Sequence, residues 1–168
     1  MAQTASYYKD LRKRMGMTRE EVCDAAVALG QPLQPERLER IENGKYDIVP
    51  EEVLLLSEIY GDPTLCNHYC SRECPIGRKY VPEVKVKDLA QIVLEMISSM
   101  NAMKNKQERL IEITANGVIA DDEIEDFVFI QKELERFSIT VESLQLWVEK
   151  MLADKKINLD IYNAIKGE

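Results

Sequence analysis

The sequence predicts an all-α chain, and three observations carry that reading. Helix-favouring residues dominate, while glycine and proline number only seven and six in 168 residues. No run alternates apolar and polar residues as a half-buried strand would. In the second half, apolar residues recur at steps of three and four over more than three heptads. The expected architecture is an N-terminal group of about five helices followed by a long antiparallel helical hairpin.

The first helix is expected from about Thr4 to Met15, with Tyr7, Tyr8 and Leu11 inward and Gly16 supplying a left-handed stop. Thr18 and Glu21 stand three apart, the spacing of a capping box, so a second helix starts there with Val22, Ala25, Ala26 and Leu29 as its apolar face. Gly30, Gln31 and Pro32 interrupt the chain. Gln34 then precedes Pro35, which suits the first position of a third helix because its missing N–H is not needed there. Leu38 and Ile41 face inward, and Asn43-Gly44 ends the helix. A fourth begins at Val49-Pro50, with Val53 to Leu56, Ile59 and Tyr60 as its apolar positions, and Gly61-Asp62-Pro63 closes it. A short fifth helix is expected from Pro63 to about Cys70.

Residues 75–87, with two prolines, a glycine and several lysines and arginines, read as a linker between a domain at 1–74 and a hairpin at 88–168. Leu89, Met96, Met103 and Leu110 lie seven apart in the first arm. In the second arm Phe127, Ile130, Leu134, Phe137, Val141, Leu144, Val148 and Met151 form a heptad seam. A helix over this arm would be roughly 50 Å long. Asn116-Gly117 is expected to turn the chain. Ile124, Val128, Phe129, Ile139, Leu146 and Trp147 fall off the seam and call for a second surface, which a second copy in a homodimer would supply. Residues 112–123 match an EF-hand loop at its glycine, its isoleucine at position eight and its final glutamate but not at positions one, three and nine, and capping accounts for the same residues.

Residues 7–61 resemble the XRE-type, phage-repressor-like helix-turn-helix regulators. The carrying residues are Leu11 to Val22, then Arg40-Ile41-Glu42-Asn43-Gly44-Lys45, then Pro50 and Leu54-Leu55. The resemblance implies a lambda-repressor-like helix-turn-helix domain that binds double-stranded DNA as a dimer, its third helix, about residues 34–43, in the major groove. Arg37 and Arg40 would then read guanine, Gln34 adenine, and Glu36 or Glu39 cytosine. Arg12, Arg14, Arg19, Lys45 and Tyr46 would meet phosphates and fix the register. The chain departs from the family in having arginine at position 19, where glutamine is usual, and in a longer connection from the second helix to the third.

Net charge is −8. Residues 1–80 carry 11 basic and 13 acidic residues, and residues 81–168 carry 11 and 17, so most of the acid excess lies outside the region of resemblance. A protein-interaction or scaffold module with the same fold and no DNA is the alternative that this balance keeps open.

Cys66, Cys70 and Cys74 stand four apart, on one face of a helix, with the only histidine, His68, among them. Three readings stay open: a zinc or other metal site using these four residues, with Cys23 a further candidate ligand; a redox-responsive pair; and ordinary core packing of small apolar side chains. The first two would make the chain a metal- or redox-sensing regulator. No apolar leader precedes the charges of the first 14 residues and no apolar run exceeds five, which predicts a cytoplasmic chain that does not enter a membrane. One histidine, no phosphate-binding glycine loop and no recognisable nucleophile motif point away from an enzyme, from a cofactor and from a small-molecule substrate.

Overall fold

A computed structural model describes residues 2–104, 106–114 and 118–167, and the regular structure among them is entirely helical. The expected Asn116-Gly117 turn lies outside the described residues. The chain divides into two compact units: residues 1–83 together with 150–168, and residues 84–149.

The first unit opens with α1 (Ala2–Arg14), α2 (Arg19–Ala28), α3 (Pro35–Glu42) and α4 (Pro50–Tyr60). Local chemistry sets their ends. Gly16 takes φ +69° after α1, a conformation glycine adopts without steric cost. The Thr18 hydroxyl accepts from the Glu21 amide, and the Glu21 carboxylate accepts from the Thr18 amide at 2.7 Å, closing the capping box. Pro35 and Pro50 each sit in the first turn of their helices, and the Glu52 carboxylate accepts from the Val49 amide.

Next come α5 (Thr64–Arg72) and α6 (Gly77–Tyr80), the latter a single turn inside the stretch expected as a linker. Helix α3 packs on α1 and α2, α2 also packs on α4, and α5 packs on both α4 and α6. Tyr8, Leu11, Val22, Ala26, Leu38, Ile41, Val53, Leu56 and Leu65 lie in one buried cluster. Leu54, expected inward, faces solvent because its neighbours Val53, Leu55 and Leu56 occupy the buried side of α4. The last helix, α10 (Leu159–Lys166), starts at Asn158, whose side chain accepts from the Ile161 amide.

In the second unit, α7 (Leu89–Lys104) and α8 (Gln107–Thr114) precede a 3₁₀ turn (Asp121–Glu123) and α9 (Ile124–Ala153). Lys106 and Arg109 pair with Asp126 at 2.8 and 2.9 Å, Met103 and Ile130 line one small cavity, and Ser99 and Thr140 line one groove. Later residues of the first segment thus meet earlier residues of α9, so the two run in opposite directions.

Along the expected seam of α9, Ile130 is buried and Phe127, Phe137, Val141, Leu144, Val148 and Met151 are half-buried, but Leu134 is 47% exposed. Glu133, Thr140, Ser143 and the off-seam Leu146 are also buried, as is Ser99 on α7. The Thr140 and Ser143 hydroxyls donate to the carbonyls of Arg136 and Ile139, four residues earlier, at 3.0 and 2.8 Å. Satisfied inside their own helix, these hydroxyls enter a buried position at little cost.

Gly77 is where α6 presses on α5: a Cβ built there would overlap the carbonyl of Cys70. Gly77→Ala therefore forces the two helices apart and should lower unfolding free energy by about 1–3 kcal/mol. Urea denaturation followed by circular dichroism measures this; an unchanged midpoint would rule out the close approach.

Candidate functional site

The surface of α3 is built from its inner side. Leu38 and Ile41 enter the core, and Glu42 follows them, its side chain fully buried. A carboxylate can be buried only if its charge is met. Arg12 of α1 donates to both Glu42 oxygens, through Nε and Nη2, and also holds the carbonyl of Met17 at 2.8 Å. Arg19 of α2 donates to the same carboxylate from the other side at 2.9 Å. Burial works to raise the Glu42 carboxyl, but the hydrogen bonds and charges of Arg12 and Arg19 outweigh it and hold it below its ordinary value. One anion thus ties α1, α2 and α3 together.

This arrangement fixes which α3 residues are offered outward. Gln34, Glu36, Glu39, Arg40 and Asn43 are exposed, the last four on one face opposite Leu38 and Ile41. Lys45 and Tyr46 are exposed just beyond the helix, and Lys13 and Arg14 are exposed at the end of α1. Arg37 is held elsewhere: Nε and Nη2 donate to the two Glu52 oxygens at 2.7 and 2.9 Å, and the guanidinium lies over the Tyr46 ring at 3.7 Å. Such a planar fork is the strongest geometry available to an arginine. To read a base edge, Arg37 would have to leave Glu52, and only Arg40, of the two expected guanine readers, is exposed without an ion pair among the described residues.

Arg12, expected at phosphates, is a correction: it is 8% exposed and inside the protein, because Glu42 needs a cation there. Arg19 keeps partial exposure and has a second, longer pairing with Glu39 at 3.6 Å. The Glu42 and Glu52 partners lie 30 and 15 residues from Arg12 and Arg37, so nothing local in the sequence marks them.

The cysteine region has a different design. Cys66 and Tyr69 pack against the core, and all four cysteines are free thiols. Burial pushes the Cys70 thiol up, and the proximity of Cys74 and Cys66 pushes the same way. His68 turns to α1: its ring stacks on Tyr7 at 3.6 Å between centroids. Burial, then the positive charge of Arg72, holds its imidazole below the ordinary value, so the neutral form is favoured. Its buried Nε2 has no hydrogen-bond partner among the described residues, and Glu73, which accepts from Tyr8, is 3.8 Å away. No group of three or more His, Cys, Asp or Glu side chains among the described residues is arranged to hold a metal ion. No helix among them is long and apolar enough to cross a membrane.

No protein-family model, curated protein or solved structure matches the chain.

The Glu42 cluster makes a pH-dependent prediction. A carboxyl whose folded pKa is depressed contributes stability in full above its unfolded value, ordinarily 4.5, and loses it as pH falls through the folded value. Glu42→Leu, which leaves the buried Arg12 and the partly exposed Arg19 without their shared anion, should cost about 3–5 kcal/mol at neutral pH. Glu36→Ala on the exposed face should change stability by less than about 0.5 kcal/mol. Urea unfolding between pH 3 and 7 tests both: the loss caused by Glu42→Leu should shrink towards the acid end, and a loss that stays constant would refute the assignment.

Proposed function

We propose that this chain is a DNA-binding transcriptional regulator of the XRE-type, phage-repressor-like kind, acting as a dimer with α3 in the major groove. The observation that carries the reading is the exposed face of α3, with Gln34, Glu36, Glu39 and Arg40 outward while Leu38, Ile41 and Glu42 anchor the helix from behind. A helix so anchored is a rigid reading head, and Gln34 and Arg40 have the donor patterns that suit adenine and guanine edges. Lys45, with Lys13 and Arg14, supplies exposed cations for phosphates at its margins. Arg37 and Arg19 position the surface through Glu52 and Glu42, and Tyr46 shields the Arg37 fork. In this reading, residues 84–149 form a helical hairpin that joins two copies, and the chain is a binding protein needing no cofactor.

A second reading is a protein-interaction module. It is favoured by one specific observation: with Arg19 and Arg37 tied up in ion pairs, the outer face of α3 presents Glu36 and Glu39 against Arg40 alone.

Selection of duplexes from a random library, followed by mobility shift across a salt series, separates the two. The regulator reading expects a selected sequence whose affinity falls steeply between 50 and 200 mM salt. Arg40→Ala should weaken that sequence by about 1–3 kcal/mol and relax one base position. Lys45→Ala should weaken all duplexes alike and lower the salt slope by about one. No enrichment and no retardation even in dilute buffer would leave the interaction module as the answer.

A further inference from the structure

Helix α7 is unusual for its charge content. Between Leu89 and Met103 it holds one ionisable residue, Glu95, which pairs with Lys87 at 2.6 Å. Val93, Ile97 and Met100 nevertheless stand 41, 50 and 55% exposed. They are spaced i, i+4, i+7, so they form one stripe. Met100 continues that stripe into a groove of about 390 Å³, lined by Met103, Leu110 and, from α9, Leu134 and Phe137, with Lys104 and Gln107 also at it. On α9 the matching stripe runs Leu134, Ser138, Val141, Gln145 and is also uncharged. The opposite side of the same helix pair, by contrast, is lined by Lys87, Glu95, Ser98, Ser99 and Arg136, as well as Ile139 and Thr140. One side of the unit is therefore mainly apolar, with Lys104 as the cation at its groove, and the other is polar and charged.

We infer that the apolar side, centred on Met100 and Leu134, is the contact surface for a second copy of this chain. The inference rests on the dimer named in the preceding section and is independent of whether DNA is bound. Area decides the occupant. Over residues 127–148, α9 runs about 30 Å, and two helices side by side are about 20 Å across, giving a face of roughly 600 Å². Two such faces bury about 1,200 Å², the lower bound of a specific, stable interface. The predominance of apolar residues, Val93, Ile97, Met100, Leu134 and Val141 against Lys104, matches the apolar character of homodimer interfaces. A groove flanked by its own protruding side chains can also be self-complementary: about a two-fold axis, the α7 ridge of one copy seats in the α7–α9 groove of the other and makes a four-helix bundle.

The test uses the full chain in size-exclusion chromatography with light scattering and in sedimentation equilibrium at micromolar concentrations. Wild type is expected at twice the chain mass. The double variant Met100→Gln, Leu134→Gln, at positions exposed in the single copy, is expected at the mass of one chain with unchanged helicity, or with a dissociation constant raised at least tenfold. Ile139→Gln, on the polar side, should leave the dimer intact. A wild-type monomer at tens of micromolar overturns pairing itself. A wild-type dimer that the Met100/Leu134 variant leaves unchanged overturns this face while preserving pairing. Should the double variant lose helicity, protection of the 93–103 and 131–145 amides in hydrogen exchange, compared in wild type above and below the dissociation midpoint, decides instead; protection that does not rise with concentration overturns the face.

Discussion

Glu42 is a charged group held where water cannot reach it, and the arrangement of the N-terminal helices follows from meeting that charge. An apolar contact between helices tolerates small rotations, since Leu38 and Ile41 could slide within a greasy pocket at modest cost. A carboxylate shared by two guanidiniums cannot, because each hydrogen bond has a narrow range of distance and angle. Arg12 fixes the distance from α3 to α1, and Arg19 fixes the distance from α3 to α2. A buried ion cluster adds little stability over well-packed apolar residues, but breaking it is expensive. Its effect here is positional: it sets the rotation of α3, and with it which residues of that helix meet solvent.

The same chemistry then limits what the surface can offer. Of the basic residues near α3, Arg12, Arg19 and Arg37 are consumed by Glu42 and Glu52, and the outer face retains Arg40 with Lys45 at its end. For an overall charge of −8, attraction to phosphate would have to be local, built by Arg40, Lys45, Lys13 and Arg14 within about one Debye length of ~10 Å. Glu36 and Glu39 oppose it at the same range. A base reader can use acidic side chains against cytosine, but it then pays for them at every other base. On the proposed reading, this molecule would bind weakly to arbitrary duplex and gain affinity only where the bases suit.

The starts and stops of the N-terminal helices were legible because they depend on neighbours in sequence. Gly16, the Thr18–Glu21 box, Pro35 and Pro50 each act within four residues, and each acts in the structure where local rules put it. The roles of the arginines were not legible, since their carboxylate partners lie 15 to 30 residues away and any exposed-looking helix arginine reads as a surface cation until its partner is located. His68 misleads for a related reason: its spacing from the cysteines invites a shared site, while its actual neighbour is Tyr7, on a different helix. In α9 most of the expected seam is at least half-buried and Leu134 is not, because a heptad stripe gives the apolar direction but does not say how much of it a partner helix covers.

The exposure of Leu134 goes with a division of small and large residues. Ser99 of α7 and Thr140 and Ser143 of α9 are buried, and the two α9 hydroxyls bond carbonyls of their own helix. The larger Met100, Leu134 and Phe137 border one groove. Each leucine- or methionine-sized side chain left there forgoes up to about 1.5–3 kcal/mol of burial. A helix pair organised in this way buries several small residues and leaves some large ones uncovered. That division is unfavourable for an isolated hairpin and becomes favourable once a second apolar surface removes those side chains from water.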